Sequence, residues 1–213
     1  MYFCYFFIFN KFEIKKKGIT LNSFIEKKEL NTNCDNTNVN VTIDVSTFEE
    51  ELIMSEFRPE EGSFDLGNPR IAVIAARWNA EITDGLLAGA LRALARHNIS
   101  GDAVETYRVP GAFELPLAAQ RAARTGRFDA IITLGCVIRG DTPHFDYVCS
   151  ETTRGIGEVG LNENLPVAFG LLTTDNLQQS LDRSCDNEEN KGEEAALTIL
   201  EMLALFKTMQ TAD

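Results

Sequence analysis

From Ile71 onward the hydrophobic and polar positions change period repeatedly along the chain, and each change marks an element. Ile71–Ala76 is a continuous apolar run, the pattern of a strand covered on both faces. Residues 81–98 place Ile82, Leu86, Leu87, Leu91 and Leu94 on one helical face. Val104–Val109 reads as the next strand and 115–124 as a helix. A strand over 130–137, a long helix over 145–161 and a strand over 166–172 follow. The pattern closes with a short helix near 176–183 and a longer one near 192–207. That last helix carries Ala196, Ile199, Leu200, Leu203 and Phe206 on one side. Strands alternating with helices imply βαβ units, and hence an α/β fold with a central parallel sheet between helices.

In such sheets ligands bind outside the carboxyl ends of the strands, so the loops after Ala76, Val109, Val137 and Leu172 matter most. They hold Arg77-Trp78-Asn79, then Pro110-Gly111-Ala112-Phe113-Glu114, then a turn containing His144, then Thr173-Thr174-Asp175-Asn176. No strand is followed by G-x-G-x-x-G, which leaves a dinucleotide site without support.

The third loop is the richest. In Gly135-Cys136-Val137-Ile138-Arg139-Gly140-Asp141-Thr142-Pro143-His144, Thr142 is placed as an N-cap and Pro143 as the first helical residue. A glycine-bearing turn that opens a helix presents unpaired N–H donors and a positive dipole end, an anion site. His144, one of two histidines, sits in the same first turn. A proton-transfer group beside a phosphate-sized site points to an enzyme acting on a small phosphorylated compound. The spacing of Gly135 and Gly140 imitates a nucleotide-binding P-loop. That loop needs lysine where Asp141 stands, and an aspartate there repels the phosphates.

Composition changes the picture at the N-terminus. Met1 to Phe9 is an aromatic run, followed by Lys15-Lys16-Lys17 and Asn31-Thr32-Asn33, unlike the Ala, Leu, Gly and Val-rich sequence from Arg70. The run is too short to span a bilayer and lacks the basic start of a secretory signal. Residues 1–53 are expected to be a disordered extension or upstream sequence translated from a misplaced start, with Met54 opening the domain 54–213. A cryptic transit segment is the alternative. The net charge of −12 argues against a nucleic-acid surface, which needs clustered Lys and Arg. Five cysteines without a C-x-x-C pair read as reduced thiols in a cytoplasmic protein, and with two histidines a structural zinc site finds no ligand set.

Arg77-Trp78-Asn79, Val109 to Pro116, Gly135 to Val148 and Asn190-Lys191-Gly192 together resemble the 6,7-dimethyl-8-ribityllumazine synthase family, over roughly residues 66–209 and in the family's order. The resemblance implies a flavodoxin-like three-layer sandwich and assembly as a homopentamer or a multiple of it. It implies condensation of 5-amino-6-(D-ribitylamino)uracil with 3,4-dihydroxy-2-butanone 4-phosphate, without a cofactor, metal, nucleic acid or membrane. By the same resemblance Trp78 stacks on the pyrimidine, while Ala112, Phe113 and Glu114 hold the ribityl-uracil. Backbone groups of Cys136, Val137 and Ile138 pair with the pyrimidine edge. Asp141 and Thr142 bind the phosphate through their N–H groups and Arg183 clamps it. His144 carries the proton, Lys191 contacts the ring and Phe169 covers it. In the family, Phe169, Arg183 and Lys191 reach the site from a neighbouring subunit.

Each role has a plainer rival. Trp78, Phe113 and Phe169 are core aromatics by default, and Glu114 favours a helix N-terminus by charge alone. Cys136 and Cys149 read as packed thiols, His97 as a solvated helix end, Arg139 as an ion-pair partner and Lys191 as a surface charge. Two departures stand out. Ser184-Cys185-Asp186-Asn187-Glu188-Glu189 is acidic where the family usually has small residues, glycine and lysine, and Asp141 lies inside the phosphate turn. A shell or flavin-storage protein that kept the fold and lost catalysis is the second reading. It would be favoured by loss of His144, Arg183 or Lys191, and all three are present.

Overall fold

A computed structural model of the chain describes residues 11–16, 19–24, 62, 64 and 66–210. The chain divides into two units between Leu52 and Ile53. In the first, β1 (Lys11–Lys16) and β2 (Ile19–Phe24) pair as an antiparallel ribbon, Lys11 opposite Phe24 and Lys16 opposite Ile19. The remainder of the extension expected over 1–53, and Met54 itself, lie outside the described residues.

The second unit runs β3 (Ile71–Ala76), α1 (Ala80–Arg96), β4 (Val104–Val109), α2 (Leu115–Ala123), β5 (Ala130–Ile138), α3 (His144–Glu163), β6 (Val167–Thr174), α4 (Leu177–Asp182) and α5 (Lys191–Gln210). Its four strands are parallel in the order β4-β3-β5-β6. Successive strand side chains point to opposite faces, and β3 shows the consequence. Ile71, Val73 and Ala75 enter one core with Leu86 and Leu94 of α1 and Ile199 and Leu200 of α5. Ala72, Ile74 and Ala76 enter a second core with Leu115 and Ala119 of α2 and Ile156 and Val159 of α3. The result is a flavodoxin-like α/β sandwich of three layers. Leu86, Leu94, Leu134 and Leu200 are fully buried, and truncating one of them to alanine costs about 2–5 kcal/mol.

The order of the strands makes β4 and β6 the edges. β4 exposes Thr106, Tyr107 and Arg108, and β6 exposes Phe169 and Thr173, so neither has the two covered faces of β3.

Two local expectations are corrected. Thr142 makes no capping bond, and α3 begins one residue later, at His144, with Pro143 as its cap. The carbonyl of Pro143, not that of Thr142, accepts the first helical bond, from the Asp146 N–H at 3.0 Å. Thr173 and Thr174 belong to β6 and not to the loop after it. They continue the ladder opposite Val137 and Ile138, which moves the start of the loop to Asp175.

Candidate active site

The loops after β3 and β4 are joined by backbone bonds, Arg77 N–H to Val109 O at 2.8 Å and Trp78 N–H to Pro110 O at 3.2 Å. Asn79 then turns the chain into α1 with a left-handed backbone (φ 57°), which asparagine tolerates well. Its Nδ2 donates to Cys136 O at 3.0 Å and ties the same loop to β5. These bonds hold Trp78 outward, 74% exposed in the single chain, and Phe113 is 60% exposed. Neither is a core aromatic.

Ala112, Phe113 and Glu114 form one 3-10 turn ahead of α2. Glu114 Oε2 accepts from Gly111 N–H at 2.9 Å, so the plainer reading of Glu114 as a helix-start group has a geometric basis. The carboxylate is nonetheless exposed beside Phe113.

β3 accompanies β5 only as far as Ala75 opposite Leu134, whereas β6 continues to Ile138. Beyond Leu134 the β3 side of β5 is therefore free of a strand partner, and this places backbone groups of Cys136, Val137 and Ile138 at an open ladder. One of these groups, Cys136 O, already accepts from Asn79, though a carbonyl has two lone pairs. The Cys136 thiol is buried and lies 3.3 Å from Ser180 Oγ, which in turn is 2.6 Å from Thr174 Oγ1. Burial pushes the thiol pKa up, which makes it a packed neutral group and not a nucleophile.

Arg139 follows β5 and makes three hydrogen bonds. Its N–H donates to Thr174 O at 2.8 Å, its Nε to Asp175 at 3.0 Å and its Nη1 to Asp146 at 3.1 Å. These two carboxylates, Asp175 first, hold the guanidinium pKa above its ordinary value. Arg139 is the ion-pair partner that its sequence suggested. Gly140, Asp141, Thr142 and His144 are all exposed at the mouth of the turn it closes.

A groove of about 550 Å³ runs along the outer edge of β6. Phe169, Arg183 and Lys191 line it, and Phe169 is 46% exposed and not a core residue. None of Trp78, Ala112, Phe113, Glu114, Cys136, Val137, Ile138, Asp141, Thr142 or His144 lines it. Those ten lie in the loops and strand end at the carboxyl edge of the sheet. The expected site residues thus fall into two groups within one chain. The Arg183 Nη1 donates to Gln179 O at 3.0 Å, and among the described residues Arg183 makes no ion pair. Lys191 Nζ lies 2.6 Å from Glu194 Oε1, one helical turn along α5.

The acidic segment after Arg183 is partly neutralised from elsewhere: Asp186 pairs with Arg92 of α1 at 2.7 Å. Gln179, Glu194 and Thr198 also line the groove, and the motif reading did not single them out. Glu194 was legible only through its three-residue spacing from Lys191 on a helix. Among the described residues no cluster of His, Cys, Asp or Glu is placed to hold a metal ion, and no helix is long and apolar enough to cross a membrane.

A parallel three-layer sheet with exposed aromatic, acidic and histidine side chains at its carboxyl edge is the frame of an α/β enzyme. Residues 68–207 match the family model described as 6,7-dimethyl-8-ribityllumazine synthase. A curated protein of that name from Chlorobium luteolum is 46% identical over 149 residues, which cover 70% of this chain and 96% of the relative. The chain belongs to the 6,7-dimethyl-8-ribityllumazine synthase family and is an enzyme of the transferase class.

Proposed function

We propose that the chain condenses 5-amino-6-(D-ribitylamino)uracil with 3,4-dihydroxy-2-butanone 4-phosphate to give 6,7-dimethyl-8-ribityllumazine, phosphate and two molecules of water, the penultimate step of riboflavin synthesis. The amine of the uracil forms an imine with the ketone and releases water. Phosphate then leaves with loss of a proton from the adjacent carbon, and the resulting enol becomes a ketone. The ribityl-bearing nitrogen closes the ring on that carbonyl with release of a second water. What carries this reading is membership of the family, matched over residues 68–207.

In this reading Trp78 stacks on the pyrimidine, Ala112, Phe113 and Glu114 hold the ribityl-uracil, and the open ladder of Cys136, Val137 and Ile138 pairs with the ring edge. The N–H groups of Asp141 and Thr142 receive the phosphate, and His144 moves protons beside it. Asp141 fits this role because its exposed side chain can point to solvent while its backbone faces the anion. The β6 groove of a neighbouring subunit supplies Phe169 over the ring, Lys191 beside it and Arg183 on the phosphate. A homopentamer, located in the cytoplasm, joins the two groups. Residues 1–53 are an extension, or upstream sequence from a misplaced start, and 54–213 is the synthase domain.

The test is an assay of purified protein with both substrates, following lumazine fluorescence and phosphate release. Formation of both products in step supports the enzyme. Tight flavin binding without turnover would instead favour a storage or shell protein on the same fold.

A further inference from the structure

Asn190 is 1% exposed, and its amide is the most heavily bonded polar group between α4 and α5. Its Nδ2 donates to Ser184 O at 2.9 Å, Cys185 O at 2.8 Å and, across the helix layer, Gly85 O of α1 at 3.2 Å. Its Oδ1 accepts from Gly192 N–H at 3.0 Å and Glu193 N–H at 3.1 Å, which caps α5. The residues gripped are informative. Ser184 directly follows Arg183, and Gly192 directly follows Lys191. A further bond, Lys191 N–H to Arg183 O at 2.9 Å, joins the two cations through their backbones.

The seat for this amide is built from missing side chains. A Cβ on Gly89 of α1 would meet Asn190 Oδ1 at 2.1 Å, and one on Gly85 would meet Ser184 O at 2.3 Å. A Cβ on Gly192 would meet Leu86 O at 1.9 Å. Gly85 and Gly89 are one helical turn apart, so α1 presents a notch into which the segment 184–192 is pressed. A buried amide with all its donors and acceptors engaged fixes its surroundings strongly, because leaving any of these groups unpaired is costly.

We infer that Asn190 is a positioning residue for the Arg183 guanidinium: seated in the α1 notch, it sets the backbone from which Arg183 reaches the substrate phosphate. The inference rests on the proposed phosphate role of Arg183. It differs from a general fold role in that its effect is confined to one substrate.

Asn190→Ser separates the two halves of the amide. Serine retains an acceptor for the N-terminus of α5 and loses the donors to Gly85, Ser184 and Cys185. With assembly confirmed by native mass, the KM for the butanone phosphate should rise about tenfold while that for the ribityl-uracil stays within about twofold. The double variant Asn190→Ser/Arg183→Ala should bind the butanone phosphate no worse than Arg183→Ala, because the first residue acts through the second. Additive losses, or equal rises for both substrates, overturn the inference. If Arg183→Ala impairs the phosphorylated substrate and Asn190→Ser does not, the inference alone falls. If Arg183→Ala has no such effect, the phosphate reading falls and takes the inference with it. Should Asn190→Ser not assemble, Gly85→Ala displaces Ser184, one of the amide's partners, while leaving residue 190 an asparagine, and must reproduce the same split between the two KM values. Its failure to do so overturns the inference equally.

Discussion

The guanidinium of Arg139 lies 4.1 Å from the ring centroid of Phe145 while its Nε and Nη1 donate to Asp175 and Asp146. A planar cation can stack and donate in its own plane at once, which lysine cannot do. Two carboxylates near the exposed turn 140–143 are thereby neutralised. Arg139→Met should keep the stem and release that negative charge beside the proposed phosphate site. The KM for the butanone phosphate should rise severalfold at low ionic strength and recover much of the loss at roughly 0.5 M salt, where screening is short-ranged. A loss independent of salt would mean that Arg139 acts through the fold and not through charge.

His144 stands exposed in the first turn of α3, beside the turn proposed to hold phosphate. General acid–base assistance is typically worth about 10²–10⁴-fold. Imine condensation proceeds partly unaided, so His144→Ala should lower kcat on that scale or less, with little change in either KM. Unchanged turnover would remove His144 from the mechanism.

Arg183 is proposed to grip the phosphate with parallel hydrogen bonds, a geometry that the point charge of lysine does not copy. Arg183→Lys should therefore weaken binding of the butanone phosphate far more than that of the ribityl-uracil. Isothermal titration or steady-state KM values for each substrate would show this. Equal losses for both would assign Arg183 to the structure.

Acid sensitivity should arise in part on the β4 edge. The Tyr107 hydroxyl, helped by Arg70 and Arg127, holds the Glu105 carboxyl below its ordinary 4.5 against an opposing effect of burial that only the Tyr107 bond exceeds. A depressed carboxylate pKa contributes stability that is fully present above about 4.5 and is lost as pH falls through the lower folded value. Glu105→Gln should therefore melt below the parent at about pH 7, and the gap should close progressively as pH falls below about 4.5. A gap that does not change with pH would exclude the carboxylate charge as the cause.

The elements that the hydrophobic period defined were legible because burial imposes period directly: β3, with six buried residues in a row, admits no other reading. Trp78 and Phe113 in the loops and Phe169 on β6 are exposed and not the core aromatics that their residue types suggest by default. Other features depend on contacts across the chain. The seat of Asn190 uses Gly85, 105 residues away, and no local pattern reports it. That Phe169, Arg183 and Lys191 line a groove beside β6 follows from β6 lying at the sheet edge, a matter of strand order. The start of α3 was misplaced by one residue because Thr142 and Pro143 both suit a helix start, and only the first backbone bond decides between them.

In the proposed assembly one chain carries two half-sites, and the ring joins them. A ring of this kind uses a heterologous contact, one face meeting a different face, and closes by rotation. The most direct measurement mixes two crippled variants, His144→Ala and Arg183→Ala, unfolded together in equal amounts and reassembled. Random placement around a ring returns both groups to about one junction in four. The mixture should then recover about a quarter of parental activity, well above either variant alone. No recovery, with native mass spectra showing mixed rings, would place the whole site within a single chain and contradict the account.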